Sequence, residues 1–183
     1  MNGSRILGLF ILALLPFMAQ ADENRDPYKF FFAQTFGDYS EELSNAKEDG
    51  KKGVFLFFEM DECQYCHYMK TTILNKKSVQ EYFLKEFAAF NIDIEGDVMM
   101  TTFDGKEMKM KEYAGKKYMK VRATPVMVFF DLQGNQLYRH TGKVGGGKDE
   151  FLWMADYIAQ GHYKKMKYTK YKRQRKQESR NRG

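Results

Sequence analysis

The chain has 183 residues but only two cysteines, Cys63 and Cys66. Together with three scattered histidines they do not make a standard closed zinc site. Long apolar runs are missing as well. The run from Ile6 to Met18 holds 13 residues, short of the ~20 that a helix needs to cross a bilayer comfortably. No internal repeat is present. Acidic residues are nearly absent from the last stretch, where Tyr163 to Gly183 carries ten Lys/Arg against the single acid Glu178. The formal net charge of +6 therefore belongs to a basic tail, and the rest of the chain is mildly acidic.

Against these absences stand 43% apolar and 16% aromatic residues, enough for a sizeable core in one domain of ordinary size. The chain opens like an export signal. Arg5 supplies the positive end, Ile6 to Leu15 the apolar stretch, Pro16 breaks it, and Ala19-Gln20-Ala21 fits the small-x-small cleavage pattern. Cleavage after Ala21 gives a mature chain starting near Asp22, and no cysteine lies near that point to suggest a lipoprotein. Export places the two cysteines in an oxidising compartment, where a pair usually bridges. A bridge across Gln64-Tyr65 closes a tiny loop and removes little chain entropy. The pair is therefore read as reactive rather than as a staple.

In chain order, residues 22–37 form a polar lead-in, within which Phe30-Phe31-Phe32 is either a short strand or a staple onto the core. Asp38 or Ser40 caps a helix ended by Gly50 and Gly53. Val54 to Glu59 is a continuous apolar run with the length of a strand buried on both faces. A helix starts at or near Cys63, with Tyr65, Met69 and Ile73 at helical spacing. Ser78 caps another, and Ala88 to Ile94 reads as a second inner strand. Residues 95–120 are polar and rich in Lys and Met, with a turn at Phe103-Asp104-Gly105-Lys106 and helical character around Tyr113. Thr124-Pro125 then opens the strand Val126–Asp131, Gly134-Asn135 turns a hairpin, and Gln136 to Thr141 returns. Asp149 caps a final amphipathic helix ended by Gly161. The tail 163–183, with few apolar anchors, is expected to be mostly disordered.

A buried strand running into Cys-x-x-Cys, a later Thr-Pro before an apolar strand, and a closing hairpin and helix together resemble the thioredoxin superfamily. The resemblance covers roughly Tyr39 to Gln160. "FFEMDECQYCHYM" and "VRATPVMVFFDLQGNQLYRHTG" look most like exported thioredoxin-like proteins of the SoxW type. It implies an α/β fold, a central mixed β-sheet flanked by helices, with residues 95–120 inserted before the cis-Pro strand of a domain spanning 38–162. It also implies that Thr124-Pro125 is cis and faces the dithiol. Three departures stand out. Phe57 occupies the position, six residues before Cys63, where cytosolic thioredoxin keeps a buried acid. Gln64-Tyr65 replaces Gly-Pro, and the dithiol-to-Pro gap is longer.

The implied chemistry is thiol–disulfide exchange without a cofactor or metal. Cys63 at a helix N-terminus is the nucleophile, because unpaired N–H groups and the helix dipole stabilise its thiolate. Cys66 resolves the mixed disulfide. Thr124, Pro125 and Tyr65 are expected to contact substrate, and His67 to tune the thiols. No segment is long enough for the dimerisation module of an isomerase, and the insertion is too short for the helical domain of a strong oxidant. The chain is thus expected to be a monomer in the periplasm, reducing or exchanging disulfides of exported proteins and supplied by a membrane electron donor. The basic tail is read first as a solvated, solubilising segment, with an anionic membrane surface or an acidic partner as the alternative contact, and not nucleic acid.

Rival readings attach to the same residues. Cys63–His67 also fits Cys-x-x-Cys-His haem attachment, with His67 as the axial ligand, though such sites sit in small helical folds. Met99, Met100, Met108, Met110 and Met119 offer thioethers suited to Cu(I), although lysines interleave Met108 and Met110 and methionine commonly fills gaps. The alternative function is accordingly a thioredoxin-fold binding or copper-handling protein without redox turnover.

Overall fold

The computed structural model describes residues 22–181; the expected export signal, 1–21, lies outside them. Four strands form the central sheet: β1 (Gly53–Glu59), β2 (Phe87–Asp93), β5 (Val126–Phe130) and β6 (Gln136–Thr141), in the order β2-β1-β5-β6. β1 and β2 run parallel, while β5 is antiparallel to both β1 and β6. The parallel pair needs a crossover, supplied by α3 (Gln64–Thr72) and α4 (Lys77–Glu86). The sheet is therefore mixed, as the resemblance implied.

β1 is buried at all seven positions, which explains its lack of polar alternation. Its side chains still divide by face. Phe55 and Phe57 join Ala89, Met127 and Phe129 beneath α3, α4 and α6 (Gly147–Ala159). Val54, Leu56 and Phe58 join Phe90, Val126 and Val128 beneath α2 (Tyr39–Glu48) and the insertion. Gly53 is required where β1 begins, because a Cβ there would lie 2.1 Å from the Phe130 carbonyl oxygen.

The lead-in is tied down. Asp26 caps the single turn α1 (Pro27–Phe30), and Phe31 and Phe32 beyond it are buried against Phe55, Phe83 and Phe57. Phe31 and Phe32 are thus the staple, Phe30 stays exposed on α1, and the triplet is not a strand. Asp38 caps α2 by accepting from the Ser40 and Glu41 N–H groups. Two expected caps fall elsewhere. α4 starts at Lys77, and the Ser78 N–H and hydroxyl both donate to Asp22, fifty-six residues away. α6 starts at Gly147, and the Gly146 N–H donates to Glu150, one residue past Asp149. Asp22 reaches its donors only through the fold, whereas Glu150 caps locally, four residues along the chain from Gly146.

The insertion folds as the hairpin β3 (Met99–Thr101) and β4 (Glu107–Lys109), followed by α5 (Met110–Ala114), which ends at Gly115. Met100 and Met108 face each other across the hairpin and are buried in the apolar cluster, whereas Met99 is exposed. These two thioethers therefore serve packing.

The tail departs most from expectation. Tyr168–Arg180 is a helix, α7, rather than a disordered segment. Tyr168 and Tyr171 are buried against Tyr157 on α6, and Tyr168 also packs on Tyr138 of β6. Their hydroxyls donate to the Glu150 carbonyl and to Asp156. Two large anchors and two satisfied hydroxyls suffice to dock a helix whose average composition reads as unfoldable.

Candidate functional site

β1 delivers the chain to the dithiol. After Glu59 a short turn through Met60, Asp61 and Glu62 leads to Cys63, which takes extended backbone angles and caps α3. The Cys66 N–H points at Cys63 Sγ, 3.0 Å away, and the His67 N–H donates to the Cys63 carbonyl. Cys63 and Cys66 are joined as a disulfide, with 7% and 1% of their surfaces exposed. The same N–H that faces Sγ in the bridge would stabilise a thiolate on Cys63 once reduced, together with the positive end of α3.

Thr124-Pro125 reaches the same end of the sheet because β5 pairs with β1 in the register Phe58↔Val126. The peptide bond is cis. Pro125 is buried and its carbonyl accepts from the Gly142 N–H at 2.8 Å. Among the described residues, the Thr124 N–H and carbonyl make no backbone hydrogen bond, and Thr124 is half-buried. An extended strand laid beside the dithiol would find both groups free.

A third segment closes the rim. The Val144 N–H lies 3.4 Å from Met69 Sδ, which holds the β6–α6 loop against α3. Lys143, exposed on that loop, places its ammonium 5.4 Å from the Tyr65 ring and 5.1 Å from the Tyr68 ring. Tyr65 is about half exposed between the two cysteines, as a substrate-contacting residue must be. His67 is exposed on the first turn of α3. Lys143 carries no signal in the sequence; only the loop's return to α3 brings it here.

Behind the motif, Phe57 faces Phe32 in the core, with no acid at that position. Two residues on, the same face of β1 presents Glu59, buried to 5% exposure. Lys70 donates to Glu59 Oε2 at 2.6 Å and to the Tyr28 hydroxyl at 2.6 Å, and that hydroxyl donates to Glu59 Oε1 at 2.9 Å. Asn91 of β2 adds a bond at 3.2 Å. Lys70 stands four residues after Cys66, hence on the same face of α3, roughly 6 Å away between Cβ atoms. Burial alone would lower the Lys70 pKa, but the bonds from Glu59 and Tyr28 outweigh it and hold the pKa above the ordinary lysine value. Asp61 and Glu62 are exposed and take no part. The i,i+4 spacing of Cys66 and Lys70 was visible in the sequence; the partnership with Glu59 was not.

Among the described residues, no group of three or more His, Cys, Asp or Glu is placed to hold a metal ion, and no helix is long and apolar enough to cross a membrane.

Residues 39–159 match the model of a family described as a thioredoxin-like domain. The chain is 31% identical over 110 residues to a Chlamydia pneumoniae protein named disulfide bond reductase DsbH. That alignment covers 60% of this chain and 63% of the relative's length, so the chain spans less than two thirds of it. Its fold is similar to a thioredoxin-fold protein from Helicobacter pylori, with a TM-score of 0.57 at 21% identity over 74% of this chain and 92% of that one. A structure titled DsbH oxidoreductase superposes with a TM-score of 0.51, at 21% identity over 72% of this chain and 88% of the other.

Proposed function

The chain belongs to the thioredoxin-like domain family, and from that premise we propose that it is an exported thiol–disulfide oxidoreductase that reduces disulfides of periplasmic proteins through Cys63 and Cys66. The observation that carries this reading is the position of Cys63 as the cap of α3, with the Cys66 N–H on its sulfur and the free Thr124 backbone at the same end of the sheet. The reductive direction draws support from the 31% identity to a protein named a disulfide bond reductase. The sequence pattern at 1–21 supports export, and the motif stretches support a place among SoxW-type proteins.

In the reduced protein, the Cys63 thiolate attacks one sulfur of a substrate disulfide. A Cys63–substrate bond forms, and the other substrate sulfur leaves as a thiolate that takes a proton from water. Cys66 then loses its proton and attacks Cys63 Sγ, which releases the second substrate thiolate and closes the Cys63–Cys66 bridge. Two electrons have passed to the substrate, and a dithiol donor at the membrane returns two to the bridge. Thr124 and Pro125 align the substrate strand, with Tyr65 beside it. The Glu59–Lys70–Tyr28 cluster supplies the local charge and the acceptor toward which the Cys66 proton moves, in place of an acid at Phe57.

The test is catalysed reduction of insulin or of a mixed peptide disulfide by the reduced protein. The wild type is expected to turn over, Cys63→Ser to be inert, and Cys66→Ser to accumulate a covalent adduct through Cys63. An inert wild type, or a bridge that resists mild reductant, overturns the proposal in favour of a structural bridge.

A further inference from the structure

The docked helix α7 turns a charged tail into a rigid face. Its inward side is spent on the domain. Tyr168 and Tyr171 are buried, Lys172 pairs with Glu150, and Arg175 pairs with Asp156 and Glu178. At 100° per residue, Lys170, Arg173 and Arg180 fall on the opposite side, with Lys176 at its edge. All four are exposed, and none is in an ion pair among the described residues. They form a stripe roughly 15 Å long. Lys164, Lys165 and Lys167, also exposed, extend it at the helix entry.

We propose that this stripe is a docking face for an anionic phospholipid bilayer, which it grips by charge alone. Three features select that occupant. First, the four outward cations are absent from the walls of a cavity that α7 forms with α6 among the described residues. That cavity, about 200 Å³, is walled by Asp149, Trp153, Arg175, Glu178 and Ser179, with acids among its walls. A planar, charge-dense surface fits a stripe without a pocket better than a discrete anion does. Second, the tyrosines that interleave the basic residues of α7, Tyr168 and Tyr171, are buried in the domain, so α7 offers no ring to stack nucleotide bases. Third, the outward face carries no large apolar side chain, so the helix rests on headgroups without entering the acyl layer. The rest of the chain, mildly acidic, would be repelled by the same surface, which leaves α7 as the contact and sets the orientation of the domain. None of this depends on redox activity at the dithiol.

The experiment is co-sedimentation of the full chain with vesicles of phosphatidylcholine alone, and of phosphatidylcholine with roughly one-third phosphatidylglycerol. Binding to the second only, abolished by high salt, is expected. Neutralising the stripe (Lys170→Gln, Arg173→Gln, Lys176→Gln, Arg180→Gln) should lower partitioning by roughly 100-fold or more. Neutralising four exposed lysines elsewhere (Lys47, Lys52, Lys85 and Lys116 to Gln) should leave it nearly unchanged. Acetylation of the native protein supplies a readout that needs no variant: bound vesicles should protect Lys170 and Lys176, and not Lys47 or Lys85. Equal loss from both quadruple variants, unprotected Lys170 and Lys176, or no binding to the anionic vesicles overturns the proposal. Retention on immobilised poly-glutamate without vesicle binding also overturns it, and assigns the stripe to an acidic polypeptide.

Discussion

Lys70 donates a 2.6 Å hydrogen bond to Glu59, joining the helix that carries Cys66 to the end of the strand that delivers Cys63. The Glu59 side chain is only 7% exposed, and every polar contact it makes closes on Lys70, Tyr28 or Asn91. A carboxylate at that depth is tolerated because its charge and lone pairs are matched.

Removing the cation should therefore expose the cost. Lys70→Met leaves a buried carboxylate unpaired and is expected to destabilise the fold by about 3 kcal/mol in urea unfolding. Adding Glu59→Met should recover most of that loss. Additive losses in the double variant would mean that the pair does not act as a unit.

Glu59→Gln keeps the shape and removes the carboxylate proposed as the proton acceptor. Resolution of a Cys63-linked mixed disulfide should slow by roughly 10-fold near neutral pH. The deficit should shrink as pH rises, because Cys66 then ionises without help. Stopped-flow decay of a preformed adduct reads this directly, and a deficit that does not vary with pH points to a structural effect.

Lys143 places a positive charge over Tyr65, inside the motif. Lys143→Glu should make reduced Cys63 slower to alkylate near neutral pH at low ionic strength, and by much less at high salt, since the ammonium is exposed. The pH profile of iodoacetamide alkylation at both salt concentrations tests it.

Tyr171→Ala removes a ring that packs on Tyr157 and His162 and a hydroxyl bonded to Asp156. The expected loss is about 3 kcal/mol, and α7 should detach before the domain unfolds. Limited trypsin digestion should then cut at Lys170, Lys172 and Arg173 in the variant, while the wild type resists at those sites.

Asp22 ties the lead-in to α4 and α6 through Ser78 and Lys148. Burial alone would raise its pKa, but the bonds from Lys148 and Ser78 prevail and hold it down at about 2, against an ordinary 3.8. A depressed carboxylate contributes stability above its unfolded pKa and loses it as pH falls through the folded one. The stabilising contribution of Asp22 should therefore fade between about pH 4 and pH 2. Asp22→Asn should flatten that part of the thermal-stability curve, and an unaltered curve would place the acid sensitivity elsewhere.

Wherever a local rule was decisive, the sequence could be read directly. The unbroken run Val54–Glu59 could only be a strand covered on both faces, and the two cysteines that follow it could only sit where α3 begins. The hairpin at Gly134 follows from turn chemistry, and Gly134 takes a positive φ of 78°. The cap that Asp22 supplies was illegible for a different reason. Hydrogen bonds do not care about sequence distance, and a cap supplied from fifty-six residues away has no local signature.

The sequence by itself determined the dithiol, the strand that presents it and the Thr-Pro element that follows, because strand burial and turn chemistry act over a few residues. Tertiary structure alone decided three things. It brought Lys143 onto Tyr65 and Glu59 onto Lys70, and it made a helix of a tail whose composition argues for disorder. In each case the deciding energy is a contact between distant segments: an ion pair taken out of water, a cation over a ring, or two tyrosines seated on α6.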